Sequence, residues 1–196
     1  MNIKKLTLLA VPVLALGALM PLSATAGGAQ HVRWDIISLL GGAPPGPINP
    51  GGHASAMAPD GDMITLTGHG TFVAPSRSNG STSSVTGGGS WETSTASGTY
   101  EVTALVSWAP ANHQSSTPAF VDNIGDLSAR SNGTAVLKIR FSDGQSGVLT
   151  VGCHGPGAPP GIIEGIAVTK GFKTYYETEE PAGGVDANRT LFHILK

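Results

Sequence analysis

Charge is what this chain has least of. Only 12% of its 196 residues are Asp, Glu, Lys or Arg, where an ordinary globular domain carries about 25%. The net charge is −2, so there is no cationic footprint for a nucleic acid. The Glu-, Lys-, Leu- and Arg-rich composition of a coiled coil or helical bundle is missing too. A single cysteine, Cys153, excludes an internal disulfide, and stability has to come from packing. The simplest role for that thiol is a small buried apolar group; an intermolecular disulfide and a reactive thiol are the alternatives. Aromatic residues are also few, with five Phe, three Trp and three Tyr.

Glycine and proline are plentiful, at 28 and 14 residues. Length predicts one domain. Lys4 and Lys5 precede an uncharged apolar run over residues 6–20, and Ser23-Ala24-Thr25-Ala26 follows with small side chains. This three-part order predicts a secretory signal cleaved near Ala26, and so a secreted or periplasmic protein. The run is short for a membrane anchor and is interrupted by Pro12, Gly17 and Pro21. No later segment is apolar enough to span a bilayer. Loss of Lys4 and Lys5 with the leader takes the net charge from −2 to −4.

A period of two dominates the remainder. Residues 99–108 are β-branched and aromatic between Gly98 and Pro110. Residues 135–141 alternate, Val136, Lys138 and Arg140 on one face and Leu137, Ile139 and Phe141 on the other. Ser142-Asp143-Gly144-Gln145 reads as a tight turn and residues 147–153 as the returning strand. Further strands are expected over 32–40, 63–73, 85–92, 162–168, 172–177 and 190–195. The first of these also admits a helical reading.

About eight short strands with glycine-rich turns predict an all-β fold, a single antiparallel β-barrel, with a β-sandwich as the alternative. Gly68, Gly70 and residues 87–89 favour the barrel, because glycine permits the bulges and coiling that closure requires. The expected division is a leader over 1–26, an N-terminal strand with a Gly/Pro-rich connector over 27–61, and a barrel core over 62–196. Residues 41–52 and 155–161 read as stiff connectors. Residues 75–86 and 112–127 read as long surface loops.

Three segments fall in a suggestive order: Ser97-Gly98-Thr99-Tyr100-Glu101-Val102, then Gly147-Val148-Leu149-Thr150-Val151, then Ile163-Glu164-Gly165-Ile166-Ala167-Val168-Thr169-Lys170-Gly171-Phe172. The succession resembles that of allene oxide cyclase-like and dirigent-like β-barrels of the calycin type, over residues 62–195. The chain departs from the pattern at Val168-Thr169-Lys170-Gly171, where such barrels carry a Gly-x-Gly rhythm. The resemblance implies an eight-stranded barrel with a partly apolar interior. Such barrels include cyclases, radical-coupling guides and proteins without known activity, so it bears on fold more than on reaction.

Few residues point to chemistry. His53, His69 and His154 each adjoin glycine, yet no metal-ligand spacing is present, so neither a metal nor a cofactor is expected. Cys153 and His154 are strand neighbours and face opposite ways; a cysteine nucleophile would need His69 or His193 instead. Glu164, set among Ile162, Ile163 and Ile166, would have a raised pKa if it faced an apolar interior, and otherwise is a solvated edge charge. Glu164, His69 and His154 are therefore the catalytic candidates. Tyr100, Trp108, Phe172 and Tyr176 are the ligand-binding candidates, while Trp91 and Tyr175 join them as core or rim aromatics. Asp60-Gly61-Asp62 is a turn former and residues 177–180 a solvated acidic loop. Asn79, Asn132 and Asn188 head N-x-S/T sequons, which mark surface loops in a glycosylating route and mean nothing outside one.

The leading functional expectation is an exported barrel that binds a small, largely apolar molecule. The alternatives are a cyclase- or isomerase-like enzyme using Glu164 or a histidine, and a secreted structural or interaction protein. A filled interior would favour the last. Oligomeric state is not readable.

Overall fold

The computed structural model describes residues 29–39, 47–74, 84–115, 121–177 and 188–195. The expected leader, residues 41–46 of the 41–52 connector, residues 75–83 of the 75–86 loop, residues 116–120 of the 112–127 loop and the acidic loop after Glu177 lie outside these residues. Twelve strands and one 3₁₀ turn occur among them: β1 Gln30–Leu39, β2 Ile48–Pro50, β3 Ala54–Met57, β4 Met63–Leu66, β5 His69–Ala74, β6 Val85–Thr93, β7 Ser97–His113, the turn Leu127–Ala129, β8 Arg130–Phe141, β9 Ser146–Cys153, β10 Gly165–Lys170, β11 Lys173–Glu177 and β12 Arg189–Leu195. The chain is all-β and the named strands pair antiparallel. Residues 32–39 are strand, not helix. The 27–61 segment, set apart by its composition, supplies β1, β2 and β3 to the same sheet.

The pairing closes on itself. β4, β6, β7, β8, β9, β10, β11 and β3 form one circuit that returns to β4. A second circuit shares β6, β7 and β8 and runs through β12, β1 and β5. The two meet because β4 and β5 are halves of one course bent at Thr67-Gly68, and both pair with β6.

Local sequence explains the best-formed part. In β8, Leu137, Ile139 and Phe141 are buried while Lys138 and Arg140 are exposed, the two-residue alternation of a half-buried strand. Its return into β9 uses Gly144 at φ 87°, and Asp143 Oδ1 accepts the Gln145 N–H at 3.1 Å. An Asp-Gly pair suits such a turn because glycine carries no penalty at positive φ. At the β5–β6 crossing glycine is needed for proximity instead. A Cβ on Gly70 would come within 2.2 Å of the Thr86 carbonyl and 2.8 Å of the Gly87 Cα. The strongest bulging lies elsewhere, in β7, whose register against β8 slips between Val102 and Ala104, Leu105 and Ser107, and Pro110 and His113.

The buried apolar side chains form one continuous core. Trp34, Phe72, Phe141, Phe192, Ile36, Ile64, Leu66, Leu137, Leu149 and Ile166 are all buried below 2% exposure. Trp91 meets the Phe141 edge at 5.7 Å between centroids, and Trp108 lies 4.7 Å from Phe192 and 5.5 Å from Phe72. Above Trp91, Lys170 Nζ sits 4.2 Å from the ring centroid and pairs with Asp143. Lys173, opposite Lys170 in register, bridges Asp60 at 2.9 Å and Asp62 at 2.8 Å. The Tyr175 hydroxyl donates to Asp62 as well, at 3.2 Å. These two lysines tie the ends of β10 and β11 to the turns beside them.

Candidate functional site

Glu164 stands immediately before β10, neither in a hollow nor free in solvent. Its Oε2 accepts the His154 N–H at 2.5 Å and its Oε1 accepts the Thr190 N–H at 2.9 Å. The carboxylate thereby joins the end of β9 to the start of β12. Burial pushes its pKa up to about 7, against the opposing pull of those two N–H donors and of Arg189 and His154. Both oxygens are already occupied by backbone, which suits a structural staple better than a proton shuttle.

His154, exposed, has Nδ1 2.8 Å from the Ile162 carbonyl, so Nδ1 carries the proton. Cys153 is buried, and Gln114 Nε2 donates to its Sγ at 3.1 Å. Burial pushes the thiol well above its ordinary value, and the nearby Glu164 charge adds to that, the opposite of what a thiolate nucleophile requires. His69 is exposed at the start of β5, in register with Asp35 and Gly88. No hydrogen bond among the described residues links it to Glu164 or His154. His53 is exposed between β2 and β3. Among the described residues no three His, Cys, Asp or Glu side chains are grouped to hold a metal ion.

The four aromatic candidates separate into two pairs. Tyr100 is buried; its hydroxyl donates to the Thr67 carbonyl at 2.8 Å, and burial pushes the phenol up. Trp108 is half-buried and packed against the core, with Nε1 donating to Gln30 Oε1 at 3.1 Å. Phe172 is fully exposed at the turn between β10 and β11, and Tyr176 is 58% exposed on β11. The first pair belongs to the interior and the second to the outside.

A cluster the sequence did not announce lies where the 121–129 segment meets β12 and β8. Asp122 Oδ2 is 3.0 Å from His193 Nε2, both side chains 1% exposed. Its Oδ1 accepts the Ile124 and Gly125 N–H groups at 2.9 and 3.1 Å. Burial alone would raise the Asp122 pKa, but the His193 contact and those two N–H donors outweigh it and hold it low. Arg130 is opposite His193 in register, its Nε 4.0 Å from Asp122. Its Nε and Nη1 and the His193 Nδ1 have no hydrogen-bond partner among the described residues. One strand further on, Arg33 is opposite His193 and makes a two-pronged contact with Asp35, 2.8 Å for each hydrogen bond. These charges come from four separated stretches of chain, so no local spacing signals them. With 1% exposure, the Asp122–His193 pair has no access for a substrate; it fastens the 121–129 segment to the sheet.

Two of the three sequons are likewise structural. Asn132 is 0% exposed, with Nδ2 donating to Asn112 Oδ1 at 3.1 Å and Oδ1 accepting the Gly155 N–H at 2.8 Å. Asn188, 8% exposed, accepts the Ser55 N–H at 2.9 Å and the Ser55 hydroxyl at 3.2 Å. Asn79 lies outside the described residues. On the outer surface, an open groove of about 340 Å³ is lined by Thr103, Lys138, Arg140, Val148 and Thr169, among others. Among the described residues no helix is long and apolar enough to cross a membrane. No protein-family model, curated protein or solved structure matches this chain.

Proposed function

We propose that this chain is an exported protein whose eight-strand circuit is a barrel with a solid interior, and that it acts as an interaction protein through its outer face. The closed antiparallel pairing supports the barrel, and eight strands leave an interior just wide enough for side chains to fill. That is the strand number implied by the resemblance to allene oxide cyclase-like and dirigent-like proteins.

The observation that carries the functional reading is the continuous buried core, from Trp34 through Leu137 to Ile166. A catalytic chamber would need room beside an ionisable group, whereas Glu164 has both oxygens engaged by backbone. Binding is then left to the outside. Tyr176 stands opposite Met57, and Met57 opposite Met63. Ala167 stands opposite Thr150, and Thr150 opposite Val136. These positions carry no charge, and Phe172 projects from the neighbouring turn. An uncharged, partly apolar sheet face of this kind fits a neutral or apolar partner surface. On this reading, a small apolar molecule that binds does so externally.

The test is native-state binding of a hydrophobic fluorescent dye together with native mass spectrometry of the purified mature protein. The expected result is no retained small molecule, and dye fluorescence lost in the Phe172→Ser/Tyr176→Ser double variant with its melting temperature preserved. A co-purified molecule retained by that double variant would contradict the reading.

A further inference from the structure

The sequons carry an inference about the route by which the chain is made, and it rests on the proposed export. Asn132 heads Asn132-Gly133-Thr134 within β8, and both ends of its amide are used. The Gly155 N–H that it accepts belongs to the 155–161 connector, and Asn112 belongs to the far end of β7. Asn132 thus holds together three pieces of chain from a position with no exposure. Asn188 performs a similar service for β3, since the Ser55 N–H and hydroxyl both point at its Oδ1. The third residue of that second sequon, Thr190, is also buried, and its hydroxyl donates to the Gly152 carbonyl at 2.5 Å.

N-glycosylation forms a bond from the Asn Nδ2 to the anomeric carbon of a sugar as the bond from that carbon to the lipid pyrophosphate breaks, the pyrophosphate leaving with the electron pair and the amide giving up one proton to solvent. The product is a bulky polar group that has to reach water. At Asn132 there is no path to water. A sugar there would either open the β7–β8 end and the 155–161 connector or be buried with its hydroxyls unsatisfied, and either cost is of the size that prevents folding. We infer that N-glycosylation of Asn132 and this fold exclude each other, and that the chain is exported by a route that does not transfer oligosaccharide to it. A bacterial-type envelope or its surroundings meets that condition. A glycosylating secretory pathway, which modifies sequons on chains still unfolded, does not.

The hairpin turn provides an internal control. Gly144 has φ 87° with nothing within 4 Å of a Cβ placed on it, and Asn tolerates that conformation better than other side chains. Gly144→Asn creates an N-x-S sequon with Ser146 at an exposed tip. The denatured mature chain and its Gly144→Asn variant are glycosylated in vitro by an oligosaccharyltransferase. Both are then refolded by dilution beside unmodified chain in the same tube, and digested with protease. Mass spectrometry assigns the resistant fraction to each glycoform. Chains modified at Asn132 are expected to recover no resistance, while chains modified only at the Gly144→Asn site recover as unmodified chain does. Recovery of Asn132-modified chains equal to that of unmodified chain would overturn the inference. So would equal failure of the tip-modified chains, because the loss would then not be specific to the buried amide. Failure of the export reading is seen separately, as full-length chain with an intact N-terminus retained in the cytoplasm of a bacterial host.

Discussion

Glu164 shows how one side chain can be chemically unusual without being catalytic. Its carboxyl has a pKa near 7 in the folded protein against an ordinary value of 4.5. The folded state therefore holds a proton over an interval in which the unfolded chain has already lost it. Stability from this group is fully present below the ordinary value and is lost as pH rises through about 7. The shift corresponds to about 3 kcal/mol. Urea denaturation at pH 5 and pH 8 is expected to show wild type losing stability of that order over the interval, with Glu164→Gln largely flat across it. A variant as pH-dependent as wild type would remove Glu164 from this role. Gly70 is the other residue on which much depends. A methyl group there meets the Thr86 carbonyl and the Gly87 Cα, so Gly70→Ala is expected to cost about 3 kcal/mol or more, as an overpacked core does. A thermal melt would show it as a large drop, and an unchanged melt would mean that β5 and β6 can separate freely.

Elements differ in how much of them could be read from local sequence. The β8–β9 hairpin was legible because its alternation, its Asp-Gly turn and its return strand lie within one short window. Strand counts were less legible. Residues 48–57 read as connector from their composition, yet Ile48, Ala54 and Ala56 are buried in β2 and β3. The strand expected over 162–168 starts only at Gly165, since the Ile162 carbonyl and the Glu164 carboxylate are occupied with His154. The 121–129 segment was legible only as a loop, because it is fastened by Asp122 meeting His193 from the other end of the chain and by Val121 and Asn123 pairing with Ile48 in β2. That fastening is testable at the scale of the element. Asp122→Ala leaves His193 and Arg130 buried without their acceptor, a loss of about 3–5 kcal/mol for a broken buried pair. Hydrogen exchange of the Ile124 and Gly125 amides should accelerate in this variant more than exchange in β8 or β9. Uniform acceleration would mean that Asp122 supports the whole molecule and not this segment.

At the scale of the whole molecule, closure was the feature that sequence could suggest and not specify. β1 pairs with β12, joining the two ends of the described chain, and no periodicity within either strand names the other as its partner. Interior glycines were read as devices for curvature. At Gly70 and Gly87 they are needed so that two backbones can touch, while the bulges gather in β7. The candidate site was less legible than the fold. Glu164 stood out as a carboxylate among isoleucines, but its partners are backbone amides, which sequence does not display. Tyr100 and Trp108 could not be told apart from Phe172 and Tyr176 until their faces were known. The low charge also has a consequence at this scale: much of the outer sheet is left to Thr, Val, Ala, Met and Tyr, the surface to which partner binding is assigned.

The filled interior is the claim on which the functional account turns, and xenon tests it directly. An apolar void large enough for a ligand stays dry and takes up xenon under pressure. Diffraction from crystals of the mature protein under xenon is predicted to show no xenon site among Trp34, Phe72, Leu137, Leu149 and Ile166. A xenon atom bound inside the ring against those side chains would contradict the account and restore an internal ligand site.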